Sequence, residues 1–118
     1  MGEETLNRAV EVFQLLAHPV RLQILDELRR APACVCHLQM ALRRPQAYIS
    51  QQLRVLREAG AVAATREGLN IFYHLRDPQI ERLLEEMIGP VRAAEALPLC
   101  SCPRCHPSAH SAAGETRC

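Results

Sequence analysis

The chain has 118 residues, room for one domain and a tail, and its 48% hydrophobic content with 3% aromatics and no Trp argues against a β-sandwich core and for an aliphatic, largely helical one. The net charge of +1 says little by itself; the distribution of the charges matters more. No run approaches the roughly 18 apolar residues of a membrane span, and the acidic opening MGEETLNRAVEV does not suit a signal peptide, so a cytoplasmic protein with no membrane partner is expected.

In chain order, Leu6, Ala9, Val10, Phe13, Leu16 and Ala17 recur at helical spacing and predict a first helix running from Leu6 to about Ala17. His18-Pro19 breaks it, and Pro19 suits the first turn of a second helix. That helix carries Val20, Ile24, Leu25 and Leu28 and ends in Arg29 and Arg30, charges that complement a helix C-terminus. After Ala31-Pro32-Ala33 a third helix begins near Cys34, with Val35, Leu38 and Leu42. Arg43 to Pro45 makes a turn. A fourth helix, from about Gln46 to Ala59, points Ile49, Leu53 and Leu56 inward, and Gly60 fits its stop. Two short helices around a tight turn make a helix-turn-helix.

The stretch AVAATREGLNIFYHL reads as two strands around Glu67-Gly68, with Ile71, Tyr73 and Leu75 alternating against Asn70, Phe72 and His74. A helix-turn-helix followed by such a hairpin is a winged helix, so the predicted fold is mainly α with a small β-hairpin. Asp77-Pro78 starts a fifth helix with an N-cap and a first-turn Pro. Its stripe of Ile80, Leu83, Leu84, Met87 and Ile88 has no third layer to cover it in so short a chain, which agrees with a dimer. Gly89-Pro90 interrupts it. Past Leu97 the composition shifts to Pro, Ser, Ala, Gly and Cys. The expected organisation is a winged-helix domain over 1–97 and a Cys-rich tail over 98–118, mobile unless something ties it down.

The segments LAHPVRLQILDEL, CVCHL, ISQQLRVLREAGAV and REGLNIFYHL, in that order across about Leu6 to Leu84, resemble the ArsR/SmtB family of bacterial metal-sensing repressors. The resemblance implies a homodimer paired through its first and last helices, bound to double-stranded, palindromic operator DNA and released from it by metal. It also implies that the controlled genes are for metal resistance or efflux.

The charge pattern fits a nucleic-acid face. All fourteen basic residues are Arg, and between Cys34 and Arg76 six of them meet only Glu58 and Glu67. In a helix-turn-helix the fourth helix would enter the major groove, which makes Gln46, Tyr48, Ser50, Gln51 and Arg54 the candidate readers. Gln can pair with adenine and Arg with guanine. Arg43 and Arg44 would clamp phosphates, and Arg66 on the wing would reach backbone or minor groove. For Tyr48, packing and DNA contact are equally open. Gln51-Gln52 stands where many members of the family carry two His, so their base contacts do not transfer.

Six cysteines in a cytoplasmic chain read as ligands or sensors. Cys34 and Cys36 lie two apart, on nearly opposite faces of a regular helix. Their sulfurs converge if Cys34 precedes the helix; if the helix runs through both, one ion must distort it. A helix N-terminus favours the thiolate that a soft ion needs. The arsenic-sensing members of the family carry a third Cys three residues on, where this chain has Gln39, and the cadmium- and lead-sensing members draw thiols from an N-terminal segment that here has none. The missing thiols are therefore expected from CSCPRC: Cys100, Cys102 and Cys105. Three sulfurs suit arsenite or antimonite, and a fourth suits Cd, Pb or Zn. The tail thiols could instead form their own Zn or Cd site with His106, or have no role. Cys118 is read as incidental, His18 as capping or packing near the second helix, His37 as solvent-facing and His74 as structural. The family's other metal site, on the last helix, needs Asp and His; 79–88 contains no His.

A thiol-redox or sulfide-sensing repressor of the same fold is the alternative, through a disulfide from Cys34 or Cys36 to the tail. An enzyme lacks support, since no Gly-rich phosphate loop, nucleophile elbow or paired carboxylate is present.

Overall fold

A computed structural model of the chain describes residues 1–93. It contains α1 (Glu3–Leu16), α2 (Pro19–Arg30), α3 (Val35–Leu42), α4 (Gln46–Glu58), β1 (Val62–Glu67), β2 (Asn70–Leu75) and α5 (Pro78–Ile88). The helix-turn-helix is α3 and α4, and the wing is the antiparallel pair β1–β2.

Local chemistry accounts for the boundaries. α1 begins three residues earlier than its apolar repeat, at Glu3 and Glu4, whose charges suit the positive end of a helix. Pro19 opens α2, and Arg29 and Arg30 close it. Asp77 caps α5 by accepting from Gln79 N at 2.9 Å. Gly60 ends α4 at φ +81°, a left-handed backbone that glycine adopts without a side-chain clash. The register Val62↔Leu75 through Glu67↔Asn70 leaves Gly68-Leu69 as a two-residue turn, with Gly68 at φ +63°.

Leu15, Ile24, Leu25, Leu38, Ile49, Leu53, Leu56, Ile80 and Leu84 form the buried centre, with α2 running through it. In two elements the buried residues are not those of the most regular apolar pattern. On α1 the residues that enter the core are Val12 and Leu15, whereas Leu6, Val10 and Phe13 are exposed. The apolar repeat therefore marked an outer face, and the core took the residues beside it. On β2 the buried positions are Asn70 and Phe72, while Ile71 is exposed. Phe72 is buried, Tyr73 and Leu75 are half-buried against the core, and Ile71, near the turn end of the strand, is left outside.

One pairing has no local sequence signal. Ala33, in the break before α3, exchanges two backbone hydrogen bonds with Tyr73 of β2, 3.0 and 2.8 Å. The segment leading into α3 is thereby joined to the wing.

Candidate nucleic-acid interface and thiol pair

The turn between α3 and α4 is set by Arg43, which takes a left-handed backbone at φ +55°, and by Pro45, which precedes the first residue of α4. α4 then divides into two faces. Ile49, Gln52, Leu53 and Leu56 are buried, while Gln46, Ser50, Gln51 and Arg54 are exposed along the other side. Arg43, Arg44 and Arg66 are exposed as well. Tyr48 is half-buried against the core and carries the Arg44 guanidinium 5.6 Å from its ring centroid, so it packs and also steadies a cation at the turn. Arg54 pairs with Glu58 at 3.2 Å, but both side chains are well exposed and such a pair is weak. Seven of the eight DNA candidates are thus exposed, on the turn, α4 and the wing, and Tyr48 is half-buried.

Gln52 belongs to the other side. It is buried, and its Oε1 accepts from Arg21 Nε at 3.0 Å. Neither residue is legible as a pair in sequence, since 31 positions separate them.

Cys34 is the N-cap of α3, with extended backbone (φ −87°, ψ 169°), and its sulfur accepts from His37 N at 3.5 Å. Cys36 is the second residue of the helix. The structure therefore takes the first of the two arrangements open from sequence: Cys34 precedes the helix. Both residues are buried thiols. Among the described residues no group of three or more His, Cys, Asp or Glu side chains could hold a metal. The pair fits a soft ion in donor type and lacks the further sulfurs a closed site requires. Cys100, Cys102 and Cys105 lie outside the described residues.

His37 is a correction. It is only 1% exposed, not solvent-facing, and its Nε2 pairs with Glu27 Oε1 at 2.9 Å, while Arg30 Nη1 holds Glu27 Oε2 at 3.1 Å. α3 is covered on two sides, so a polar residue next to Leu38 went inward and found its partner on α2. His18 sits at the N-cap position of α2 without a side-chain capping bond, and its Nδ1 is buried with no hydrogen-bond partner. His74 lies on β2, half-buried opposite Ala63. Arg29 reaches across from α2 to donate to the Gly89 carbonyl at 2.8 Å, fixing the end of α5 beside the end of α2.

A helix-turn-helix with an exposed polar recognition face and an adjoining wing defines the class as a winged-helix DNA-binding regulator. The profile of the family described as "Bacterial regulatory protein, arsR family" matches residues 18–64. The HTH-type transcriptional regulator NmtR of Mycobacterium tuberculosis is 41% identical over 88 residues, covering 75% of this chain and 73% of NmtR. The HTH-type transcriptional repressor SmtB of M. tuberculosis is 36% identical over 86 residues, 73% of this chain; the chain spans 64% of the length of SmtB. Among solved structures, the homodimeric winged helix-turn-helix DNA-binding domain Mb0332 of Mycobacterium bovis superposes with a TM-score of 0.66 at 27% identity, covering 75% of this chain and 84% of that one. The chain belongs to the arsR family of bacterial regulatory proteins. No helix among the described residues is long and apolar enough to cross a membrane.

Proposed function

We propose that the chain is a homodimeric repressor that binds palindromic operator DNA and leaves it when a soft ion is bound by thiolates. Arsenite or antimonite is the first choice of ion, and Cd, Pb or Zn the second. The ligands are Cys34 and Cys36 with sulfurs of the tail, Cys100, Cys102 and Cys105.

The observation that carries this reading is the position of Cys34. It caps α3, which turns directly into the recognition helix α4, and it follows Ala33, which is bonded both ways to Tyr73 of the wing. A ligand that moves this sulfur acts on both DNA-contacting elements at once. Coupling needs such a difference between two states, and allosteric pairs are commonly worth about 1–3 kcal/mol.

Recruitment of the tail is supported by the Arg29–Gly89 bond, which starts the following chain near the segment leading to Cys34. Cys100 is eleven residues beyond Gly89. At about 3.3–3.6 Å per extended residue that stretch can span at most about 36–40 Å. Pairing of protomers is supported by the apolar groove that Phe13, Leu16, Leu22, Leu83, Met87 and Ile88 line between α1, α2 and α5. Phe13 is 62% and Met87 83% exposed in the single chain. Mb0332, with the same fold, is a homodimer.

The test is an ultraviolet titration of fully reduced protein with arsenite, following sulfur-to-arsenic absorption, run beside a DNA-binding assay. Saturation near one ion per protomer with release of DNA is expected, both lost in Cys34→Ser. Replacing Cys100, Cys102 and Cys105 together by Ser should weaken ion binding strongly; unchanged affinity would exclude the tail. Release of DNA by peroxide or polysulfide, with no response to arsenite or Cd(II), would replace ion sensing by thiol oxidation.

A further inference from the structure

Arg21 carries its charge at the unfavourable end of a helix. It is the third residue of α2, after Pro19 and Val20, where the helix dipole disfavours a cation. Its side chain does not turn to water. Nη1 donates to the Leu15 carbonyl at 3.3 Å, in the last turn of α1, where carbonyls lack intrahelical partners. Nε donates to Gln52 Oε1 at 3.0 Å. Gln52 is 7% exposed on a face of α4 that is otherwise Ile49, Leu53 and Leu56. An amide in that position is costly unless it is bonded. A single guanidinium, with donors fixed in one plane, therefore ties the end of α1 to the back of the recognition helix.

The outward face of α1 carries Leu6, Val10 and Phe13, and Phe13 with Leu16 lines the groove proposed for dimer pairing. Arg21 stands between that pairing surface and the DNA-reading surface. We propose that Arg21 is a positioning residue that fixes the angle between α1 and α4, and thereby sets the half-site spacing the dimer accepts. This inference rests on the dimeric reading. A dimer of helix-turn-helix units reads two half-sites about 34–36 Å apart. A tilt of α4 that moves Gln46 and Ser50 by a few ångströms is comparable to the roughly 3.4 Å of one base pair. Methionine at position 21 would fill the same space and hold neither bond.

The experiment uses the full chain and a duplex selected by it from a random library. Two derivatives of that duplex have one base pair inserted or removed between the half-sites. The wild type should prefer the selected spacing by about tenfold or more, the scale of one lost specific contact. Arg21→Met should flatten that preference to about threefold or less, while affinity for random-sequence DNA, set by phosphate contacts, and dimer sedimentation stay as in the wild type. Gln52→Met should flatten it equally, the double variant should add nothing further, and Arg21→Lys should restore part of it. A residue that merely stabilises the fold would lower all affinities together. Retention of the wild-type spacing preference by Arg21→Met overturns the inference. If that variant does not fold, Gln52→Met and Arg21→Lys take its place, and a wild-type preference in Gln52→Met overturns the inference in the same way. A wild-type chain that is monomeric, or that selects a single half-site, overturns the dimeric reading and this inference with it; a wild type that discriminates spacing separates the two failures.

Discussion

At the turn of the helix-turn-helix, Arg43 holds φ at +55° with a full side chain. A left-handed backbone costs a non-glycine residue about 1–2 kcal/mol. Glycine there would avoid that cost and add a comparable unfolded-state entropy, about 0.5–1 kcal/mol. The two nearly cancel, so Arg43→Gly should leave stability within about 1 kcal/mol of the wild type in urea unfolding. Its DNA affinity should fall on every sequence alike, and the slope of log affinity against log salt should shrink by about 1. A loss confined to one base position would instead make Arg43 a reader. His37 behaves differently, because its ring is buried and paired with Glu27. His37→Ala removes packing and strips a partner from a part-buried carboxylate. A loss of about 2–4 kcal/mol in the urea midpoint analysis is expected.

Among the elements, the wing is the part whose geometry hangs on one glycine. Gly68, at φ +63°, begins the two-residue turn, and no atom lies within 4 Å of where a Cβ would stand. Gly68→Ala therefore meets only backbone strain, about 1 kcal/mol, and should lower the melting temperature by about 4–8 °C. A larger drop would show a contact that backbone strain does not contain. The wing is also held from the side by the Ala33–Tyr73 pair, so α3's leading segment and β2 are expected to exchange amide hydrogens as one unit.

For the molecule as a whole, the proposed dimer would pair through the apolar face of α1 and α5. Phe13 and Met87 contribute little to the core of a single chain, being 62% and 83% exposed. Phe13→Glu combined with Met87→Glu should keep a native far-ultraviolet dichroism spectrum. The pair should sediment as a monomer and bind operator at least about a hundredfold more weakly, since one half-site interaction is lost and like charges now face each other. Sedimentation as a dimer would place the pairing surface elsewhere.

Much of this was open to reading in one dimension. Helix starts and stops follow from Pro19, Gly60 and Asp77-Pro78, because capping and backbone restriction are local. The outward face of α4 follows from period 3.6, which leaves Gln46, Ser50, Gln51 and Arg54 exposed. The two thiols could be placed at a helix start, since a break at Ala31-Pro32-Ala33 precedes them. The choice between faces was not local. α1 buries Val12 and Leu15 and leaves Leu6, Val10 and Phe13 outside, because periodicity marks an apolar face without telling which side of a helix the rest of the chain will cover. The Arg21–Gln52, His37–Glu27 and Ala33–Tyr73 pairs join residues 31, 10 and 40 positions apart. Such partners meet only after the helices pack. Composition and spacing determined the class of fold and the chemistry available to it; only tertiary packing decided which polar side chains became buried connections between the thiols, the recognition helix and the wing, because burial obliges a polar group to find a partner wherever the fold has brought one.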